Sequence, residues 1–237
     1  MPQECSANIR AYMRDRLSIA PNEVEELCLQ FYLDYGTTLA GLVAHGYKID
    51  YDDWHAHVHG TLPYERHLKR DVKLQRILDS IPISKYVFTN ADRRHAQRCL
   101  ALLGLQSCFD GIICFEDVME AAAERGLIHH GRPVVCKPNR QAMEIALRLA
   151  GGADAASTVF FDDSTRNVTS GVKSGVFSVL VGRTGVDCTA DLQLKSMHDL
   201  PLALPWLWAA GVPDQSRELS QEEAAGGTIG TAICVQA

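Results

Sequence analysis

Apolar positions recur at helical spacing along the first third of the chain. Ile9, Tyr12, Met13 and Leu17 fall on one face, and Val24, Leu27, Cys28, Phe31, Tyr32 and Tyr35 do the same up to Gly36. Between the two runs, Pro21-Asn22-Glu23 forms a start signal with Asn22 as the expected N-cap. The same spacing predicts helices over Thr38 to His45 and Asp50 to His57, joined by a connector from Gly60 to Pro63. Nothing before Asp71 reads as a buried strand.

After Asp71 the rhythm changes. Helical patterns over Val72 to Leu78, Arg94 to Leu103, Asn139 to Ala150 and Thr165 to Ser174 alternate with short apolar runs. Those runs are Tyr86-Val87-Phe88, Gly111 to Phe115, Thr158-Val159-Phe160-Phe161 and Val176 to Val181. Continuous apolar strands alternating with amphipathic helices predict an α/β fold, a doubly wound, Rossmann-like parallel sheet covered on both faces. The pattern divides the chain into a helical cap over 1–71, an α/β core over 72–211 and a poorly ordered tail over 212–237.

Composition narrows the function classes. A net charge of −6, with no basic stretch longer than His67-Leu68-Lys69-Arg70, argues against a nucleic-acid polymer as partner. No apolar run is long enough for a membrane span, and Met1 to Cys5 does not open a secretory signal. The eight cysteines include no C-x-x-C pair, and several sit inside apolar runs. A reduced, intracellular set, cytoplasmic or nuclear, is the expectation.

In open parallel sheets, ligands bind beyond the carboxyl ends of the strands. Thr89-Asn90 follows one apolar run directly, Asp162-Asp163 follows another, and Lys137 stands just before a helix. Taken singly, Thr89 and Asn90 also suit a turn, and Lys137 a surface position. Adjacent carboxylates repel, and a cation is the usual reason to keep both; hard oxygen ligands suit Mg²⁺. A hydroxyl and an amide for phosphate oxygens, a lysine and a metal together suit phosphoryl transfer.

Val87-Phe88-Thr89-Asn90-Ala91-Asp92, Cys136-Lys137-Pro138 and Phe160 to Val168 resemble, in order and spacing, the second, third and fourth motifs of the haloacid dehalogenase (HAD) superfamily. Ser6 to Met13, Glu26-Leu27-Cys28 and His59-Gly60-Thr61-Leu62-Pro63-Tyr64 resemble the helical cap of its pyrimidine 5′-nucleotidase-like branch. The resemblance runs from about Cys5 to Gly211. It implies a Mg²⁺-dependent phosphomonoesterase acting on a small phosphorylated metabolite, with pyrimidine nucleoside 5′-monophosphates among the candidates. Thr89 and Asn90 would hold the transferring phosphoryl group, Lys137 would offset its charge, and Asp162 and Asp163 would hold the metal. Tyr64, with His59 and Glu65, would line the substrate pocket. A phosphoglycolate or sugar-phosphate phosphatase is the alternative within the superfamily.

The family's first motif is an apolar strand ending in Asp-x-Asp-x-Thr, whose first aspartate attacks phosphorus and whose second acts as general acid and base. No such strand precedes the cap-like segment here. Phe31 to Thr38 is the nearest look-alike, but Asp34 falls within a helical pattern and the position two residues on is Gly36. In the family this strand lies mid-sheet, between the strands ending at Thr89 and Asp163. The expectation is therefore a sheet lacking its central strand, marginal stability, and an inactive product of a shortened gene or incomplete gene model. A non-catalytic phosphate-binding or interaction role is the remaining alternative.

Overall fold

The computed structural model describes residues 1–129, 132–133, 135–209 and 231–234. Five helices come first: α1 (Pro2–Asp15), α2 (Pro21–Tyr35), α3 (Thr38–Ala44), α4 (Tyr51–Val58) and α5 (Tyr64–His67). Helix α2 starts at Pro21 with Ala20 as its N-cap, so Asn22 lies inside the first turn rather than capping it. Proline fits that first position because its missing N–H would have no helical partner there. Helix α4 is capped by Asp50, whose carboxylate accepts from the amides of Asp52 and Asp53 at 2.9 and 3.1 Å. The inward stripes of these helices meet in one apolar cluster that includes Tyr12, Met13, Phe31, Leu42 and Trp54. Tyr12 meets Trp54 edge to face at 4.9 Å.

The α/β region follows: α6 (Val72–Ser80), β1 (Ser84–Phe88), α7 (Arg93–Leu103), β2 (Gly111–Ile113), α8 (Phe115–Glu124), a small antiparallel pair β3 (Ile128–His129) and β4 (Arg132–Pro133), α9 (Arg140–Leu149), β5 (Thr158–Asp162), α10 (Thr165–Lys173), β6 (Phe177–Val181), β7 (Leu192–Leu194), α11 (Leu200–Ala203) and β8 (Thr231–Cys234). Side chains alternate across the sheet, which sorts the apolar residues onto two faces. Val87, Val159 and Phe161 pack with Leu78, Leu100 and Leu200 on one face. Phe88 and Phe160 pack with Val118, Met143 and Ile145 on the other. Helix α10 lies close against that second face because Gly171 has no side chain; a Cβ there would stand 2.3 Å from Ser178 Oγ and 2.9 Å from the Phe160 ring. The expected doubly wound α/β class is thus observed.

The six-stranded sheet runs β2-β1-β8-β5-β6-β7, with every pairing parallel. Its centre corrects the expectation of a vacant slot. Strand β8 pairs with β1 on one side and β5 on the other, Thr231 opposite Ser84 and Thr158, and Cys234 opposite Val87 and Phe161. Thr231–Cys234 therefore differ from the tail expected over 212–237, whose other residues lie outside those described. The physical reason is backbone demand. Two facing rows of amide and carbonyl groups need partners, and each buried group left unmade costs about 1–3 kcal/mol. A short run without proline, with side chains that suit a central strand, can supply them.

Candidate active site at the carboxyl ends of the strands

Lys137 is the organising side chain. It is buried, and its Nζ donates to Phe88 O at 2.8 Å and to Asp162 Oδ2 at 3.1 Å, so one ammonium joins the ends of β1 and β5. It also stands 4.8 Å from the centre of the Phe88 ring, over its face. Burial pulls its pKa down, and the facing charge of Asp162 opposes that shift. A lysine has three donors. Two are engaged in these contacts, and the third is available at a cleft that Lys137 lines.

Asn90 holds the Lys137 backbone on both sides. Its Nδ2 donates to Lys137 O at 3.1 Å and its Oδ1 accepts from Lys137 N at 2.9 Å. From the other direction, Cys136 Sγ donates to Tyr35 O at 3.3 Å. Gly36 then seats against the same loop. Its φ is +89°, and a Cβ there would meet Lys137 O at 2.4 Å. Only glycine satisfies both the left-handed backbone and that approach. Thr89 is buried beside Lys137, its Oγ1 accepting from Ala91 N at 3.0 Å, which leaves its hydroxyl hydrogen for a ligand oxygen.

The two carboxylates divide their work. Asp162 is buried; Oδ1 accepts from Ser164 N at 2.7 Å, while Oδ2 accepts from Lys137 and from Asn167 Nδ2 at 3.0 Å. Asp163 is exposed at the rim, and desolvation followed by the negative charge of Asp162 raises its pKa. A carboxyl pushed up by its neighbour is one that a cation would relieve. Asp162 keeps lone pairs on Oδ1, and the donors are all hard oxygens, so this pair fits Mg²⁺.

Thr89, Asn90, Lys137, Asp162 and Asp163 therefore converge on one cleft of about 790 Å³, walled on the far side by α1, α2 and α4. Arg166 ties the two walls together, donating to Tyr32 O at 2.7 Å and also to Leu33 O. Tyr64 is a correction. It is buried and absent from the cleft lining, because its hydroxyl is engaged with His59 O at 3.0 Å and His95 Nδ1 at 2.8 Å. Glu65 points outward to pair with Arg98 at 2.8 Å. His59 does line the cleft. Asp34 is exposed on α2.

At the cleft wall, His59 Nδ1 and Asp92 Oδ2 lie 2.5 Å apart, linking the end of α4 to the cap residue of α7. Burial depresses His59 most strongly, but the hydrogen bond and charge of Asp92, together with Cys5, outweigh it and hold the imidazole up at about 9. Burial pushes both His55 and His95 down to about 4. The signs give a stability window. Between pH 6.5 and 4 the unfolded chain binds two more protons than the fold, on His55 and His95. Stability should then fall on acidification by up to about 2.7 kcal/mol per pH unit. The His59 contribution is complete below its unfolded value of 6.5 and is lost as pH rises through about 9. Urea unfolding across this range should show a maximum between these limits, and Asp92→Asn should remove the alkaline limb. A flat profile would contradict the assignment.

Residues without an assigned role in the sequence are Asn167, Ser164 and Gly36, which hold Asp162 and the Lys137 loop, and His55 and His95 beside Asp92. Asn167 and Ser164 sit in the quoted motif, and only their spacing from Asp162 could have marked them.

Residues 17–175 match the family model described as haloacid dehalogenase-like hydrolase. Phosphate metabolism protein 8 of Saccharomyces cerevisiae is 28% identical over 180 residues, covering 71% of this chain. The chain spans about half, 52%, of that relative's length. Among solved structures, a HAD phosphatase from Thermococcus onnurineus aligns with a TM-score of 0.47 and 16% identity over 85% of this chain and 88% of its own. A magnesium-bound HAD hydrolase from Bacillus subtilis aligns with a TM-score of 0.49 and 14% identity, over 84% of this chain and 91% of its own. With its family model matched across most of its length, this chain belongs to the haloacid dehalogenase-like hydrolases.

Proposed function

We propose that the chain holds the phosphate- and metal-binding part of a Mg²⁺-dependent phosphomonoesterase for small phosphorylated metabolites, and that the attacking carboxylate is not among its own residues. The observation that carries this reading is the position of Lys137. One buried ammonium touches the strand end that presents Thr89 and the carboxylate of Asp162, so hydroxyl, cation and acidic pair face one ligand. A phosphoryl group there would receive the Thr89 hydroxyl and the remaining Lys137 donor. Mg²⁺ on Asp162 and Asp163 would neutralise its charge. The yeast relative's name, which places that protein in phosphate metabolism, agrees with this class. The branch resemblance adds pyrimidine nucleoside 5′-monophosphates as first substrates to try.

A second reading, binding without turnover, is favoured for the 237-residue chain itself. Strand β8 occupies the slot where the family carries its nucleophile, and no acidic side chain follows Glu223. Asp34, the look-alike, faces solvent from a helix. Calorimetric titration of the chain with inorganic phosphate should show binding that strengthens with Mg²⁺. Asp163→Asn should weaken the Mg²⁺-dependent part at least about tenfold, because it removes one of two carboxylates on a site whose other ligands are water and phosphate. Phosphate binding indifferent to both Mg²⁺ and Asp163→Asn would dismiss the site.

A further inference from the structure

We propose that His55, His59 and Asp92 form a second metal site, built for a transition-metal dication such as Zn²⁺, that bridges the N-terminal helices and the sheet region. One donor atom from each lies within 4.8 Å of the others. The site shares no ligand with the Asp162–Asp163 pair, and its chemistry differs. Two imidazole nitrogens and one carboxylate oxygen suit Zn²⁺ and its neighbours in the first transition row, whereas Mg²⁺ prefers oxygen alone.

The independent observation is His55. It is 9% exposed, and neither ring nitrogen makes a hydrogen bond. An imidazole buried without a partner is costly, and ligation would satisfy it. Burial also keeps it neutral, with a lone pair free to donate. Its Nδ1 stands 3.4 Å from Asp92 Oδ2. That is close to the spacing of about 3.3 Å between two donors held at roughly 2.0–2.1 Å in a tetrahedral centre.

The scaffold is suited to ligation. His55 lies in α4 and His59 caps its end, a separation of four residues that puts both rings on one side of the helix. The rings stack at 5.4 Å between centroids. Asp92 is oriented by its other oxygen, Oδ1, which accepts from His95 N at 2.9 Å. Such outer contacts fix a ligand's direction. His55 and His59 both line the cleft, so an ion has a path inward. The 2.5 Å contact between His59 Nδ1 and Asp92 Oδ2 holds a proton. A dication would replace that proton and part the two atoms to ligand spacing, so binding should release a proton. Three protein donors leave a fourth position open, as in zinc sites that carry a water.

The test is a Co²⁺ titration of the metal-free Asp163→Asn chain in excess Mg²⁺, followed by visible absorption, so that the acidic pair does not report. One equivalent of Co²⁺ should develop a visible ligand-field band, and Zn²⁺ should displace it. His55→Gln should weaken binding at least about 100-fold while leaving the far-UV circular dichroism unchanged, since His55 supports no hydrogen bond in the fold. Asp92→Asn should act in the same direction. Absence of a band, or a band that His55→Gln leaves unaltered, would overturn the proposal.

Discussion

Lys137→Met should destabilise the fold by about 3–5 kcal/mol, the usual cost of removing one partner from a buried ion pair. Asp162 is only 1% exposed, and without the ammonium it would lose its cationic partner and keep neutral donors such as Ser164 N and Asn167 Nδ2. Phe88 O would also lose its described side-chain donor. Methionine fills a similar volume and keeps contact with the Phe88 ring, so the loss would report charge rather than packing. The double change Lys137→Met with Asp162→Asn should then recover more than half of the lost stability, because the stranded charge is gone. Urea unfolding of the two variants measures both numbers. A single variant within about 1 kcal/mol of the parent would mean that Asp162 is not held as an ion by Lys137, and the phosphate site would lose its anchor.

The strand Thr158 to Phe161 is legible because a wholly apolar run fits a strand buried on both faces, and the acids after it mark where the sheet opens. The predicted run stops at Phe161, and the observed strand takes in Asp162 as its last residue. Lys137 is harder: its burial follows from the Asn90 side chain and Gly36, both distant in sequence. Asn90 lines the cleft, and its amide also spans Lys137 N and O, a positioning role that its place after β1 does not announce. Helix α8 escapes the hydrophobic pattern because the apolar run of β2 flows into it without a turn residue. Its start is marked by Asp117, which accepts from Cys114 N at 2.8 Å. Strand β7 is three residues long and, among the described residues, pairs only with β6; it is too short for periodicity to register. The Asp92 cluster needs α4 and α7 side by side, which no local pattern encodes. For β8 the reason differs again: Thr231–Cys234 is only four residues long and follows a glycine-rich stretch, and its pairing is with β1 and β5, both distant in sequence.

On the proposed reading, that central slot is where activity is decided. If β8 occupies the place of a nucleophile strand, supplying such a strand should change the chemistry by orders of magnitude while the remaining site stays as it is. Removing an attacking group typically costs roughly 10⁴ to 10⁶ in kcat, and restoring one should return a comparable factor. The competing strand is four residues long, and a longer apolar strand ending in Asp-x-Asp-x-Thr would make more main-chain bonds to β1 and β5. The first carboxylate would then emerge beside Thr89, Lys137 and Asp162, at the strand ends that already carry them.

The most direct measurement is phosphate release from nucleoside 5′-monophosphates with Mg²⁺, by the 237-residue chain and by the same chain preceded by that strand. No release above its Asp163→Asn control is expected from the first. The second should turn over, and lose that turnover when the first added aspartate becomes asparagine. Release by the 237-residue chain alone, abolished by Asp163→Asn, would contradict this reading, because an attacking group would then lie among the chain's own residues.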